Sequence, residues 1–197
     1  MGCCCVTVAS DCAVAIATLP AVAAVHPGLR VLWLDAHSDY DTPTTTTYSF
    51  LGAMSLAGAT GAWDTGLGAI APERVVLCGA RAREGDFDAA AQAAVEASPV
   101  SVIGVDELDR AVALLGSAPV YVHLDTDVLD PADNSLPYGR PDGLRLAALP
   151  GLLRKVGARG QLVGIEITAF HAAEEEQQRL ALAEALADSV LAPPVPR

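Results

Sequence analysis

Asp35, His37 and Asp39 close the apolar run Val31-Leu32-Trp33-Leu34 as Asp-x-His-x-Asp. In extended chain the side chains alternate between faces, so these three can project to one side where a strand leaves its sheet. Ninety residues further on, Tyr121-Val122-His123-Leu124 runs into Asp125-Thr126-Asp127, followed by Leu129-Asp130-Pro131. Four carboxylates gathered without a cation would repel one another or take up protons. A divalent ion, or a pair of them, resolves the conflict. Carboxylates with one imidazole suit Mn2+ or Mg2+ better than a thiolate-seeking ion, and a metal pair makes hydroxide available near neutral pH. The expected chemistry is hydrolysis.

Such a cluster needs strands that end at one edge of a sheet. Residues Cys4 to Ala9 read as a short buried strand ending in Ser10-Asp11-Cys12, and Ala13 to Val25 as an alanine-rich helix. After Pro27-Gly28 comes the strand Val31 to Leu34, completing a β-α-β unit with parallel strands. Tyr40 to Phe50 is a Thr-rich loop lying over the strand ends, and Gly52 to Gly61 a short small-residue helix. Strands are predicted at Arg74 to Cys78, Val100 to Ile103, Val120 to Leu124 and Leu162 to Ile167, with helices at Phe87 to Ala97, Asp106 to Leu115, Leu144 to Gly157 and Ala172 to Leu191. Strands alternating with helices specify an open, mostly parallel α/β sheet covered on both faces, with ligands beyond the carboxyl ends of the strands. One domain over residues 1–191 and a frayed tail, 192–197, are expected.

Composition narrows the function classes. Apolar residues make up 52% of the 197 and charged residues 18%, a well-buried globule. A net charge of −12 argues against nucleic acid or an anionic membrane as partner. No membrane span and no secretory leader are indicated. Cys3, Cys4, Cys5, Cys12 and Cys78, odd in number and bunched, suit reduced thiols and a cytoplasmic protein. Met1-Gly2-Cys3 could suggest acylation, but Val6 stands where that pattern needs Ser or Thr.

Asp35-Ala36-His37-Ser38-Asp39-Tyr40-Asp41-Thr42-Pro43, Leu124-Asp125-Thr126-Asp127-Val128-Leu129-Asp130-Pro131 and Pro141-Asp142-Gly143-Leu144 together resemble the ureohydrolases, the arginase, agmatinase and formiminoglutamase family. The resemblance runs from about Val6 to Val190. It implies a three-layer α/β/α sandwich and a binuclear manganese centre, two Mn2+ per chain, that activates water for attack on the carbon of a guanidino or amidino group, with urea leaving. Carried over by position, Asp35, His37, Asp39, Asp125 and Asp127 are metal ligands, Asp35 and Asp125 bridging, and Asp39 also moves the proton to the leaving amine. Small-molecule turnover by a homo-oligomer is the implied setting.

Departures from the pattern shape the rest. Family members carry a His where Cys12 stands; a thiolate there can ligate but is softer, weakening the selection for manganese or favouring zinc or iron, the alternative being a small buried thiol outside the ligand set. The loop position that holds a proton-shuttling His in arginases is Gly52, and the Glu expected to bind guanidinium is Ala169 unless Glu166 or Glu174 compensates. Thr46 keeps a substrate-gripping position while Tyr48 and Phe50 replace smaller polar groups, and Glu84, near Arg81, could hold an α-amino group. His171 could replace lost contacts; His123 is expected to be a buried, hydrogen-bonded residue below the site. Cys12 together with the missing His resembles the Nω-hydroxyarginine amidinohydrolase-like branch, whose less basic hydroxyguanidine needs less help with protons. The opposing expectation is a non-catalytic or truncated metal-binding relative, since the chain reaches its first motif early and would leave apolar sheet surface bare. A metal-dependent phosphoesterase lacks basic residues near the motifs.

Overall fold

The strands expected along the chain form a single all-parallel sheet. The computed structural model describes residues 5–170 and 176–187. Within them lie β1 (Cys5–Val8), β2 (Arg30–Leu34), β3 (Val75–Cys78), β4 (Ser101–Ile103), β5 (Pro119–Asp125) and β6 (Gln161–Thr168), paired side by side as β1-β6-β5-β2-β3-β4. Each pairing is parallel.

Two cores, one on each face, explain why β2 and β3 carry no polar interruption. Val31 and Trp33 of β2 pack with Ala15 and Leu19 of α1 (Ala15–Val25), Leu56 and Ala59 of α2 (Ser55–Ala59) and Val95 of α3 (Ala89–Glu96). Leu32 and Leu34 face the other way, toward Val112 and Leu115 of α4 (Leu108–Leu115), Leu149 and Leu153 of α5 (Leu149–Arg159) and Leu182 and Leu186 of α6 (Glu176–Leu186). The period-2 alternation of one strand thus feeds both layers of a three-layer α/β/α sandwich, as expected.

Local differences from the sequence reading have local causes. The first helix opens as a 3-10 turn at Cys12–Val14, with the Asp11 side chain accepting from the Ala13 amide at 2.9 Å. The helix expected from Leu144 begins only at Leu149, because Leu144 forms a parallel bridge to Leu129 and a 3-10 turn at Leu146–Ala148 follows. Of the final helix, Glu176–Leu186 is seen; residues 172–175 and 188–191, the tail, and Met1 to Cys4 lie outside the described residues. On edge strand β1, Val6 and Val8 are exposed. Among the described residues no helix is long and apolar enough to cross a membrane.

The topology positions the site. From β2 the chain proceeds to β3 and β4 on one side, then returns to place β5 on the other side of β2. Connections leave β2 and β5 in opposite directions, opening a crevice at their carboxyl ends. Asp35 and Asp125 stand at that crevice.

Candidate metal centre

Asp35, directly after β2, turns its two oxygens to different neighbours. Its Oδ1 accepts from the His37 amide at 2.7 Å and lies 3.7 Å from His37 Nδ1. Its Oδ2 accepts from Trp33 Nε1 at 3.0 Å and lies 3.8 Å from Cys12 Sγ. Asp125, at the end of β5, receives the Cys12 thiol at 2.9 Å on Oδ2 and the Asp127 amide at 2.9 Å on Oδ1. Asp127 lies 2.8 Å from His37 Nδ1 and accepts from the Ala36 amide at 3.0 Å. Two groups of ligand atoms result, each gathered within 4.8 Å: Cys12, Asp35 and His123, and Asp35, His37 and Asp127. Asp39 lines the same cavity without joining either group. Its backbone is left-handed, φ 48°, and the turn lets its carbonyl accept from the Leu56 and Ala57 amides while Ser55 Oγ donates to Oδ2 at 2.9 Å.

The loops that carry these aspartates are tied at close range. Arg81 donates to four backbone carbonyls, those of Gly79, Asp127, Arg140 and Pro141. One planar guanidinium therefore joins the end of β3, the Asp127 turn and the 139–142 loop. Gly143 permits the next approach: a Cβ there would stand 2.6 Å from Asp130 N and 2.7 Å from Val128 O.

Without a cation this cluster is electrostatically uncomfortable. Burial, then the charge of Asp127, pushes Asp125 up to about 6, and burial followed by Asp35 raises Asp39 well above the ordinary carboxylate range. Asp127 is raised by burial and by Asp35. The Cys12 thiol is lifted well above its usual value by burial and by Asp125, Asp39 and Asp35. Burial opposes charge on His37, yet hydrogen bonds to Asp127 and Asp35 outweigh it and raise the imidazole to about 11. Its Nε2 is buried and has no hydrogen-bond partner, so the protein alone does not satisfy that ring. The donors fit a pair of divalent ions, which would compensate the carboxylates, deprotonate the thiol and take the imidazole as a neutral ligand.

A cavity of about 460 Å3 opens above the cluster, lined by Cys12, Asp35, His37, Asp39, Asp125 and Asp127 together with Asp11, Asp41, Phe50, Gly52, Phe87, Asp88, Tyr138 and Ala169. Among the described residues lining it there is no lysine or arginine. Phe50 takes the space of the missing side chain at Gly52, where a Cβ would meet its ring at 2.5 Å. Ala169, also left-handed at φ 56°, is buried at the wall.

Other predicted contacts fall elsewhere. Thr46 and Tyr48 do not line the cavity, though Tyr48 packs edge-on against Phe87 at 5.5 Å. Glu84 is exposed and away from it. Glu166 is fully buried beneath the site, 2.7 Å from His123 Nδ1, and also receives Tyr121 OH and Thr18 Oγ1. His123 is buried and hydrogen-bonded, as expected, but its Nε2 lies 3.3 Å from Cys12 Sγ. His171 and Glu174 lie outside the described residues. Sequence reading passed over Asp88, whose Oδ1 takes Arg140 Nη2 at 2.5 Å while its buried Oδ2 lacks a partner. Strand register carried the signal for the row beneath the site, since Trp33, His123 and Glu166 are cross-strand neighbours.

The sequence model of the arginase family matches residues 1–192. The chain is 38% identical over 182 residues to the N(omega)-hydroxy-L-arginine amidinohydrolase of Streptomyces lavendulae, covering 90% of this chain and 65% of that one. It is 31% identical over 141 residues to the arginase of Bacillus caldovelox, covering 62% and 46%. This chain therefore spans less than two thirds of the length of either relative. Among solved structures, Bacillus cereus arginase matches with a TM-score of 0.78 at 26% identity over 97% of this chain and 71% of that one. The proclavaminate amidino hydrolase from Streptomyces clavuligerus matches with a TM-score of 0.71 at 27% identity over 94% and 62%.

Proposed function

The chain belongs to the arginase family, and from that premise we propose that it is a metal-dependent hydrolase that cleaves a linear C–N bond in a small guanidino or amidino compound, a hydroxyguanidine being the substrate class it fits best. The observation that carries this reading is the convergence of Cys12, Asp35, His37, Asp125 and Asp127 at the floor of one acidic cavity, with a charge conflict that divalent cations would relieve.

Cys12, Asp35, His37, Asp39, Asp125 and Asp127 would hold the ions, manganese being suited to the oxygen-dominated half. When bound, a pair of divalent ions supplies a water acidified to near neutral pH and polarises the group under attack. Asp39, oriented by Ser55, accepts the proton of the attacking water as the C–O bond forms and returns it to the leaving nitrogen as the C–N bond breaks. The carboxylates attract a guanidinium-like cation, and Phe50, Phe87 and Tyr138 offer it an apolar wall. Asp88 Oδ2 is available for an ammonium at the substrate's far end, a task the exposed Glu84 is less suited to.

Gly52 and Ala169 favour the hydroxyguanidine. Neither offers a proton shuttle or a carboxylate, so a substrate that is already less basic is the better match. The test is turnover by the full chain loaded with manganese, offered arginine, Nω-hydroxyarginine and agmatine, with urea or hydroxyurea measured. Nω-hydroxyarginine is expected to be turned over best. A chain with two bound metals and no product from any of the three would instead be a non-catalytic member.

A further inference from the structure

Cys12 is not the only soft donor the fold brings to Asp35 and Asp125. Resting on the reading above, the geometry points to a mixed-metal centre, in which Cys12 Sγ, His123 Nε2 and one oxygen each from Asp35 and Asp125 form a four-donor site that selects zinc over manganese. His123 then supplies the imidazole that position 12 lacks, and His37 remains with the oxygen-dominated half.

Spacing supports this assignment. Ligand atoms on a tetrahedral zinc, with Zn–S near 2.3 Å and Zn–N near 2.0 Å, stand about 3.5 Å apart. From Cys12 Sγ the three other donors lie at 2.9 Å for Asp125 Oδ2, 3.3 Å for His123 Nε2 and 3.8 Å for Asp35 Oδ2. They bracket that separation; Cys12, Asp35 and His123 already gather within 4.8 Å of one another, and Asp125 joins them through its contact with the thiol.

Orientation supports it as well. Zinc-ligating histidines characteristically direct their second nitrogen to a carboxylate, which fixes the ring and raises its donor strength. His123 Nδ1 lies 2.7 Å from Glu166 Oε1, leaving Nε2 turned to the thiol. The ring is stacked on Trp33 at 3.7 Å and 18°, and the same Trp33 holds Asp35 Oδ2. Glu166 is itself fixed by Tyr121 and Thr18, so the donors from both strands are ordered before any ion arrives. The neighbouring group of Asp35, His37 and Asp127 has no sulfur, and its donors are harder.

The experiment presents the metal-free full chain with one equivalent of zinc and an excess of manganese, followed by desalting and elemental analysis. One zinc and one manganese per chain are expected. Zinc-edge X-ray absorption of that unmutated protein should read one sulfur and at least one imidazole, and cobalt in place of zinc should give a thiolate charge-transfer band. His123→Asn should lose most of the zinc while keeping manganese, and Cys12→Ser should lose the charge-transfer band. Two manganese ions per chain despite the zinc, or a zinc spectrum without sulfur or without imidazole, overturns the mixed centre and leaves the hydrolase reading standing. Unchanged zinc affinity in a folded His123→Asn variant removes His123 from the ligands. A chain that binds no metal at all overturns both readings.

Discussion

Asp125 carries the conflict of the metal-free site in a measurable form. Its folded-state value, about 6, lies above the ordinary 3.8. Between the two, the folded chain holds a proton that the unfolded chain has released, so stability falls as pH rises from about 4 to 6, by up to about 3 kcal/mol. Asp125→Asn should therefore abolish metal binding and activity, yet leave the metal-free protein more stable than metal-free wild type at pH 7. Urea unfolding in the presence of a chelator reads this, and a variant no more stable than wild type would mean that the buried charge costs nothing. The same proton competes with a cation, so manganese affinity in calorimetric titrations should drop as pH falls through 6. Cys12→His replaces the soft donor with the one found in relatives and should tighten manganese at that half; unchanged affinity in equilibrium dialysis would take Cys12 out of the site.

Elements hold these residues through close backbone approaches. The turn after β5 carries Asp127, and a Cβ added at Gly143 would stand 2.6 Å from Asp130 N and Leu129 C. Those are backbone atoms with nowhere to go. Gly143→Ala should thus cost on the order of 2 kcal/mol and displace the Asp127 turn. Its signature is a lower denaturant midpoint together with weaker manganese binding, and loss of stability alone would uncouple the 139–143 loop from the site. Motif Pro141-Asp142-Gly143-Leu144 is legible in sequence as turn chemistry, but its purpose is visible only where Leu144 bridges Leu129.

At the scale of the molecule, the parallel sheet concentrates charge at one end and pays nothing back until cations arrive. Six aspartates line the cavity around the two ligand groups and Asp88 adds a seventh. An ion that binds the folded chain alone, held at a hundred times its dissociation constant, adds about 2.7 kcal/mol. For a chain of this size that corresponds to a melting temperature higher by roughly 5–10 °C. Differential scanning calorimetry with and without manganese checks it, and an unchanged Tm would contradict a preformed metal site.

Motif composition and spacing pointed to carboxylates and an imidazole near one strand end, and Asp35, His37 and Asp127 do gather there; Asp39, on a left-handed turn beyond β2, lines the cavity without joining either ligand group, which alternation along a strand did not foresee. The alternation of apolar strands and helices likewise determined the α/β class, since an uninterrupted apolar strand needs cover on both faces. Strand order and register were decided only in the folded chain. They place His123 between Trp33 and Glu166, turn Glu166 away from the cavity into a buried hydrogen-bond row, and bring Cys12, just after edge strand β1, to within 2.9 Å of Asp125. They also leave Glu84 in solvent and set Asp88 in the wall. The physical reason is that side-chain pattern encodes which face a residue occupies, whereas its neighbours across the sheet depend on contacts between segments 43 to 113 residues apart.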